Sequence, residues 1–103
     1  MQFTEVPTIQ IPQVQPLVDD GWMLLDVRTD EEWASGRIPG AVHIPMDQVM
    51  TRFEEISDRV VCVCAVGGRS ARVAQFLNAE GKDAVNLAGG THGWIDAGLP
   101  VEV

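Results

Sequence analysis

The chain has 103 residues, 46% of them hydrophobic and 21% charged, and 15 acidic against 7 basic side chains give a net charge of -8. That length and balance suit one soluble domain, expected to span residues 1–103, whose core stands without disulfides or metals. The negative charge disfavours nucleic acid and anionic membranes as partners, and no apolar run approaches membrane-spanning length.

Residues 1–5 lack the basic start and apolar stretch of a secretory leader. The only cysteines are Cys62 and Cys64. They are expected to face opposite sides of a strand and to stay free thiols, as in a reducing compartment. With only two remote histidines beside them, they make no metal set. The expectation is a cytoplasmic protein without metal or cofactor.

In chain order, Thr8-Ile9-Gln10-Ile11 alternates like a short edge strand. Pro12 suits a helix start, while Pro16 keeps that helix short before Asp19-Asp20-Gly21. Trp22-Met23-Leu24-Leu25-Asp26-Val27 reads as a buried parallel strand. Thr29 with Glu32 forms a capping box, Asp30 and Glu31 suit a helix N-terminus, and Gly36 ends that helix. A turn and short strand follow over residues 38–45. Met46, Val49, Met50, Phe53 and Ile56 then recur at helical intervals, which predicts a helix over 46–56.

A second buried strand is predicted at Val60-Val61-Cys62-Val63-Cys64, then a loop, then a helix from Ser70 through Leu77. Ala84-Val85-Asn86-Leu87 is a further strand, and Ala88-Gly89-Gly90 turns into a last helix bearing Trp94. Strands alternating with helices at this spacing predict an α/β fold with a parallel sheet covered on both faces. Functional sites in such sheets lie past the carboxyl ends of the strands, where Cys64 stands.

The chemistry concentrates in Cys64-Ala65-Val66-Gly67-Gly68-Arg69-Ser70. Loop N–H groups converge on a sulfur placed at such a junction, and glycines permit the backbone angles this needs. A helix N-terminus and the charge of Arg69 add positive potential, which favours a nucleophilic thiolate. A cysteine that merely packs needs neither loop nor arginine, whereas Cys62, among valines, reads as a small core residue. Trp22, Trp33 and Trp94 read as packing, His43 and His92 lack an evident partner, and Asp30-Glu31-Glu32 reads as a cap and a solvated face.

Three stretches together resemble the rhodanese-like sulfurtransferases: Leu24-Leu25-Asp26-Val27-Arg28 through Gly36-Arg37-Ile38-Pro39-Gly40-Ala41; Cys64 through Ser70; and Leu87-Ala88-Gly89-Gly90 through Gly98-Leu99-Pro100. The resemblance implies a three-layer α/β/α domain around a five-stranded parallel sheet. It implies that Cys64 takes a sulfane sulfur from a small donor, thiosulfate or a persulfide, and passes it to a thiophilic acceptor. Ala65, Val66, Gly67, Gly68 and Arg69 would hold the transferred sulfur, with Ser70, Asp26 and Arg28 in support.

The related phosphatases and arsenate reductases carry one more residue between cysteine and arginine than the four between Cys64 and Arg69, so the resemblance favours sulfur transfer over them. Ala65 and Val66 supply no cation, and Glu32 stands where larger relatives carry a basic residue; both weigh against thiosulfate as donor. A sulfur carrier or interaction module dependent on a partner protein is the alternative. A monomer is expected.

Overall fold

The central strands of the sheet are buried on both faces because helices cover both sides of it. The computed structural model describes residues 6–103; the leader reading of residues 1–5 lies outside the described residues. Five parallel strands, β1 (Thr8–Ile9), β2 (Met23–Asp26), β3 (Val42–His43), β4 (Arg59–Val63) and β5 (Asp83–Leu87), form one sheet in the order β1-β5-β4-β2-β3. The helices are α1 (Val14–Asp19), α2 (Asp30–Ser35), α3 (Gly68–Ala79) and α4 (Gly90–Asp96). The α/β architecture with a five-stranded parallel sheet is therefore present.

The two cores follow the strand period of two. On one face Leu25, Val60, Cys62, Cys64 and Ala84 pack with Val73, Ala74 and Leu77 of α3. On the other Leu24, Val61, Val63, Val85 and Leu87 pack with Val14 of α1 and Trp94 of α4. Cys62 and Cys64 thus share a face. This corrects the expectation of opposite faces, because residues two apart on a strand point the same way. Both thiols are free.

Local rules account for the helix ends. Pro16 sits in the first turn of α1, where its missing N–H is no loss. At α2 the capping box closes: Glu32 N–H donates to Thr29 Oγ1 at 3.2 Å and Thr29 N–H to Glu32 Oε1 at 3.0 Å. Residues 46–56 do not form the predicted helix but two 3-10 turns, Met46–Gln48 and Phe53–Glu55. Val49 and Ile56 reach the core while Met50 remains 74% exposed, so the apolar repeat never fills a helical stripe. Thr51 Oγ1 also donates to the Gln48 carbonyl at 3.1 Å, a local alternative to helix. No helix among the described residues is long and apolar enough to cross a membrane.

Candidate active site

β4 stops at Val63 in the middle of the sheet, and Cys64 follows at its carboxyl end with 1% of its surface exposed. The chain must turn at once to start α3. Gly67 makes that turn at φ +115°, a conformation that costs a residue with a side chain dearly. The turn brings Gly67 N–H to 3.1 Å from Cys64 Sγ. Within the first turn of α3, the buried Ser70 places Oγ 3.2 Å from the same sulfur.

The loop is held from behind by α4. Thr91 N–H donates to the Cys64 carbonyl at 2.8 Å and His92 N–H to the Ala65 carbonyl at 3.0 Å. A trans peptide points its N–H opposite its carbonyl. Anchoring the Ala65 carbonyl on α4 therefore turns the Val66 N–H toward the sulfur side. Gly90 permits this approach: at φ +56°, an added Cβ would lie 2.7 Å from Ala65 O and closer still to Cys64 O. Val66 itself is 65% exposed at the loop's crest.

These contacts set the acidity of the two thiols. Burial alone raises the Cys64 thiol. The Ser70 hydroxyl and the backbone N–H groups of Ser70, Gly67 and Val66 outweigh that and bring it below the ordinary thiol value. Cys62, one step deeper, has no such donors. Burial first, and the neighbouring Cys64 second, push it up to about 12.

Arg69 faces two ways. Its NH1 and NH2 groups donate to Glu32 Oε1 and Oε2 at 2.7 and 2.8 Å, a bidentate pair. Glu32 raises the Arg69 guanidinium above its usual value, and Cys64 adds a smaller share. In return Arg69, ahead of Thr29, holds the Glu32 carboxyl down at about 2. The reading of Glu32 as cap and solvated face is thus corrected: it caps α2 and also ties α2 to the loop's arginine. An open cleft of about 350 Å³ begins at Arg69 and runs between Thr29, Asp30, Met46, Asp47 and Gln48.

Asp26 and Arg28 stand at the end of β2 and pair with each other rather than with Cys64. Arg28 Nε donates to both Asp26 oxygens at 3.0 Å, and its NH2 group donates to Asp26 Oδ2 and to the Gly36 carbonyl, each at 2.8 Å. Both are buried. Together they lock the corner from which α2, and with it Glu32, starts. His43 does have partners: its Nε2 lies 2.7 Å from the Arg28 carbonyl, and its ring stacks on Trp33 at 4.7 Å with Arg37 on the same indole at 4.6 Å.

Three contributors escape sequence reading. Asn86 of β5 places Oδ1 2.6 Å from Ser70 Oγ and donates from Nδ2 to the Gly67 carbonyl at 3.1 Å. Thr91 and His92 act through backbone that any residue would supply. Only the paired glycines before α4 signal that something must pass close by. Asn86 has one signal, a polar residue in a strand otherwise read as buried.

Comparison with known proteins agrees with this architecture. The Rhodanese-like domain family matches residues 12–97. The putative sulfurtransferase YtwF of Bacillus subtilis is 35% identical, covering 91% of this chain and 92% of its own length. The putative sulfur carrier protein YrkF of the same organism is 32% identical over 88% of this chain and 52% of its own length. The human single-domain sulfurtransferase TSTD1 superposes with a TM-score of 0.77 at 27% identity, covering 88% of this chain and 96% of that one. A family match over most of the chain, joined to a parallel sheet with a cysteine loop at its central strand end, makes this chain a member of the rhodanese-like domain family.

Proposed function

We propose that the protein is a sulfurtransferase that carries a sulfane sulfur on Cys64 as a persulfide. The Cys64 thiolate attacks the outer sulfur of a donor, forming a Cys64 S–S bond as the donor's own bond to that sulfur breaks and its remainder leaves with the electron pair. A thiophilic acceptor then attacks the outer sulfur and returns Cys64 as thiolate. No external oxidant is needed in either step.

The observation that carries this reading is the convergence of donors on one sulfur, Gly67 N–H at 3.1 Å and Ser70 Oγ at 3.2 Å, at the end of a buried strand. Neutral backbone dipoles accept a charge that moves outward by one atom better than a close-fitting cation would. Arg69, already engaged by Glu32, has unused N–H groups for the outer sulfur. Asp26 and Arg28 act at a distance, by fixing where α2 begins.

Ala65 and Val66 offer no cation to a dianion, so persulfide donors fit the loop better than thiosulfate does. The free thiols of Cys62 and Cys64 suit a reducing, cytoplasmic setting, and the chain works as one domain, residues 1–103, and as a monomer. A second reading, a carrier that serves one partner protein, draws on the exposed apolar Val66 at the crest of the loop and on the likeness to a putative sulfur carrier.

Intact-mass measurement after exposure to thiosulfate or a low-molecular-weight persulfide tests the proposal. A gain of one sulfur atom that disappears on adding cyanide is expected. No gain with either donor would overturn it. Turnover with a small acceptor then favours the enzyme, while loading without turnover favours the carrier.

A further inference from the structure

Ser70 has one hydroxyl proton and two acceptors for it. Asn86 Oδ1 lies 2.6 Å from Ser70 Oγ, and Cys64 Sγ lies 3.2 Å away on the other side. Asn86 cannot avoid the contest by turning its amide. Its Nδ2 donates to the Gly67 carbonyl at 3.1 Å, and a flipped amide would set two oxygens against each other there. We propose that Asn86 is a positioning residue that acts through Ser70: it holds the Ser70 proton while the Cys64 sulfur is uncharged and releases it when negative charge arrives on that sulfur.

The argument is a count of protons. With Cys64 a thiol, its S–H donates to Ser70 Oγ and the Ser70 O–H donates to Asn86, so each group is satisfied. With Cys64 a thiolate, the Ser70 proton turns to the sulfur. Ser70 Oγ and Asn86 Oδ1 then face each other at hydrogen-bond distance with no proton between them. Ser70 is fully buried and Asn86 is 7% exposed, so water does not relieve that contact cheaply. Asn86 therefore opposes charge on the Cys64 sulfur. Once a second sulfur is attached, the charge sits on the outer atom, the inner sulfur is a poor acceptor, and the proton returns to Asn86. The pair thus favours the loaded state over the free thiolate.

Other charged or titratable groups face the sulfur as well: Arg69 from α3 with Glu32 of α2 behind it, and the Cys62 thiol from the same face of β4. From α4, His92 meets the loop through its backbone N–H. A double-mutant cycle cancels these, because they are common to all four proteins.

The inference rests on Cys64 as the reacting thiol, but alkylation reads that thiol whether or not it accepts sulfur. Failure here is therefore distinct from failure of the mass-gain test. The pH midpoint of Cys64 alkylation is measured in the unmodified protein, Asn86→Ala, Ser70→Ala and the double variant, each checked by thermal unfolding. With Ser70 present, Asn86→Ala should lower the midpoint by about half a unit, roughly threefold more thiolate below it. With Ser70→Ala, the same substitution should not lower it. A merely structural Asn86 would loosen the Gly67 turn and raise the midpoint in both backgrounds. That result, or an equal downward shift in both, overturns the proposal. If Asn86→Ala does not fold, Asn86→Leu keeps the volume and removes the same acceptor.

Discussion

Two adjacent strand ends on the same rim of the sheet use polar groups in opposite ways. At β2, Asp26 and Arg28 turn inward and satisfy each other, with the Gly36 carbonyl taking a further bond. At β4, the donors of the turn point at one atom, Cys64 Sγ, and the Arg69 fork is only partly engaged. The first end is electrostatically closed and serves position. The second keeps hydrogen-bonding capacity in reserve for charge that arrives during reaction. Burial alone does not separate them, since Asp26 and Cys64 are both sealed from water; what separates them is whether donors outnumber the acceptors already present.

The sharpest break of that comparison is at the sulfur. Cys64→Ser should abolish the mass gain entirely. Cys62→Ser should keep it and lose roughly 1–3 kcal/mol of stability, because a hydroxyl replaces a buried thiol among valines. Mass spectrometry beside denaturant unfolding reads both.

At the closed end the cost should fall on folding. Asp26→Ala leaves the Arg28 guanidinium buried without its carboxylate, and removal of one partner of such a pair costs about 3–5 kcal/mol. Urea unfolding should show that loss, while protein kept folded at low temperature should still gain sulfur. Loss of sulfur loading from fully folded protein would place Asp26 in the chemistry instead.

Arg69 lies between the two cases. Arg69→Lys keeps the charge but loses the fork that reaches Glu32 and the sulfur together. A fall of roughly tenfold to a hundredfold in kcat/KM is expected, the scale of one charge-assisted bond, with thermal unfolding little changed.

The smallest effect is at Glu32. Its folded value of about 2 lies below the unfolded carboxylate value near 4.3. The stability it contributes is therefore complete above that unfolded value and is lost as pH falls through about 2. Glu32→Gln keeps the capping box through Oε1 and removes the charge together with the Oε2 acceptor of Arg69 NH2. It should cost about 1 kcal/mol near neutral pH, reduced by solvent screening of a partly exposed pair. Unfolding curves of the two proteins should converge as pH falls below about 2.

What was legible in the sequence is what neighbouring residues decide among themselves. The Thr29–Glu32 cap, the two buried central strands and the glycine-bearing turn after Cys64 all follow from adjacent residues. The grip of α4 on the Cys64 and Ala65 carbonyls, the Asn86–Ser70 contact and the Glu32–Arg69 pair join segments far apart in the chain. Each is made by a residue type with several ordinary uses, so only the packed fold selects one. The shared face of Cys62 and Cys64 belongs to a different class: strand parity alone was enough to place it. The 46–56 segment departs from its helical spacing because spacing records apolar positions but not whether a surface awaits all of them.

The depth of Cys62 bears on how long the domain would keep a sulfur loaded on Cys64. A second thiol on the same face, if ionised, would attack a sulfur-loaded or oxidised Cys64 and discharge it as an internal disulfide. Cys62 is 0% exposed and pushed up to about 12, so it stays protonated across the physiological range. Two residues along one strand are also about 6.6 Å apart, at the edge of what a disulfide spans. Sulfur carried on Cys64, as proposed, would therefore leave by meeting an external nucleophile. The same isolation leaves a Cys64 sulfenic acid without rescue from its own chain, and its repair falls to thiols in solution.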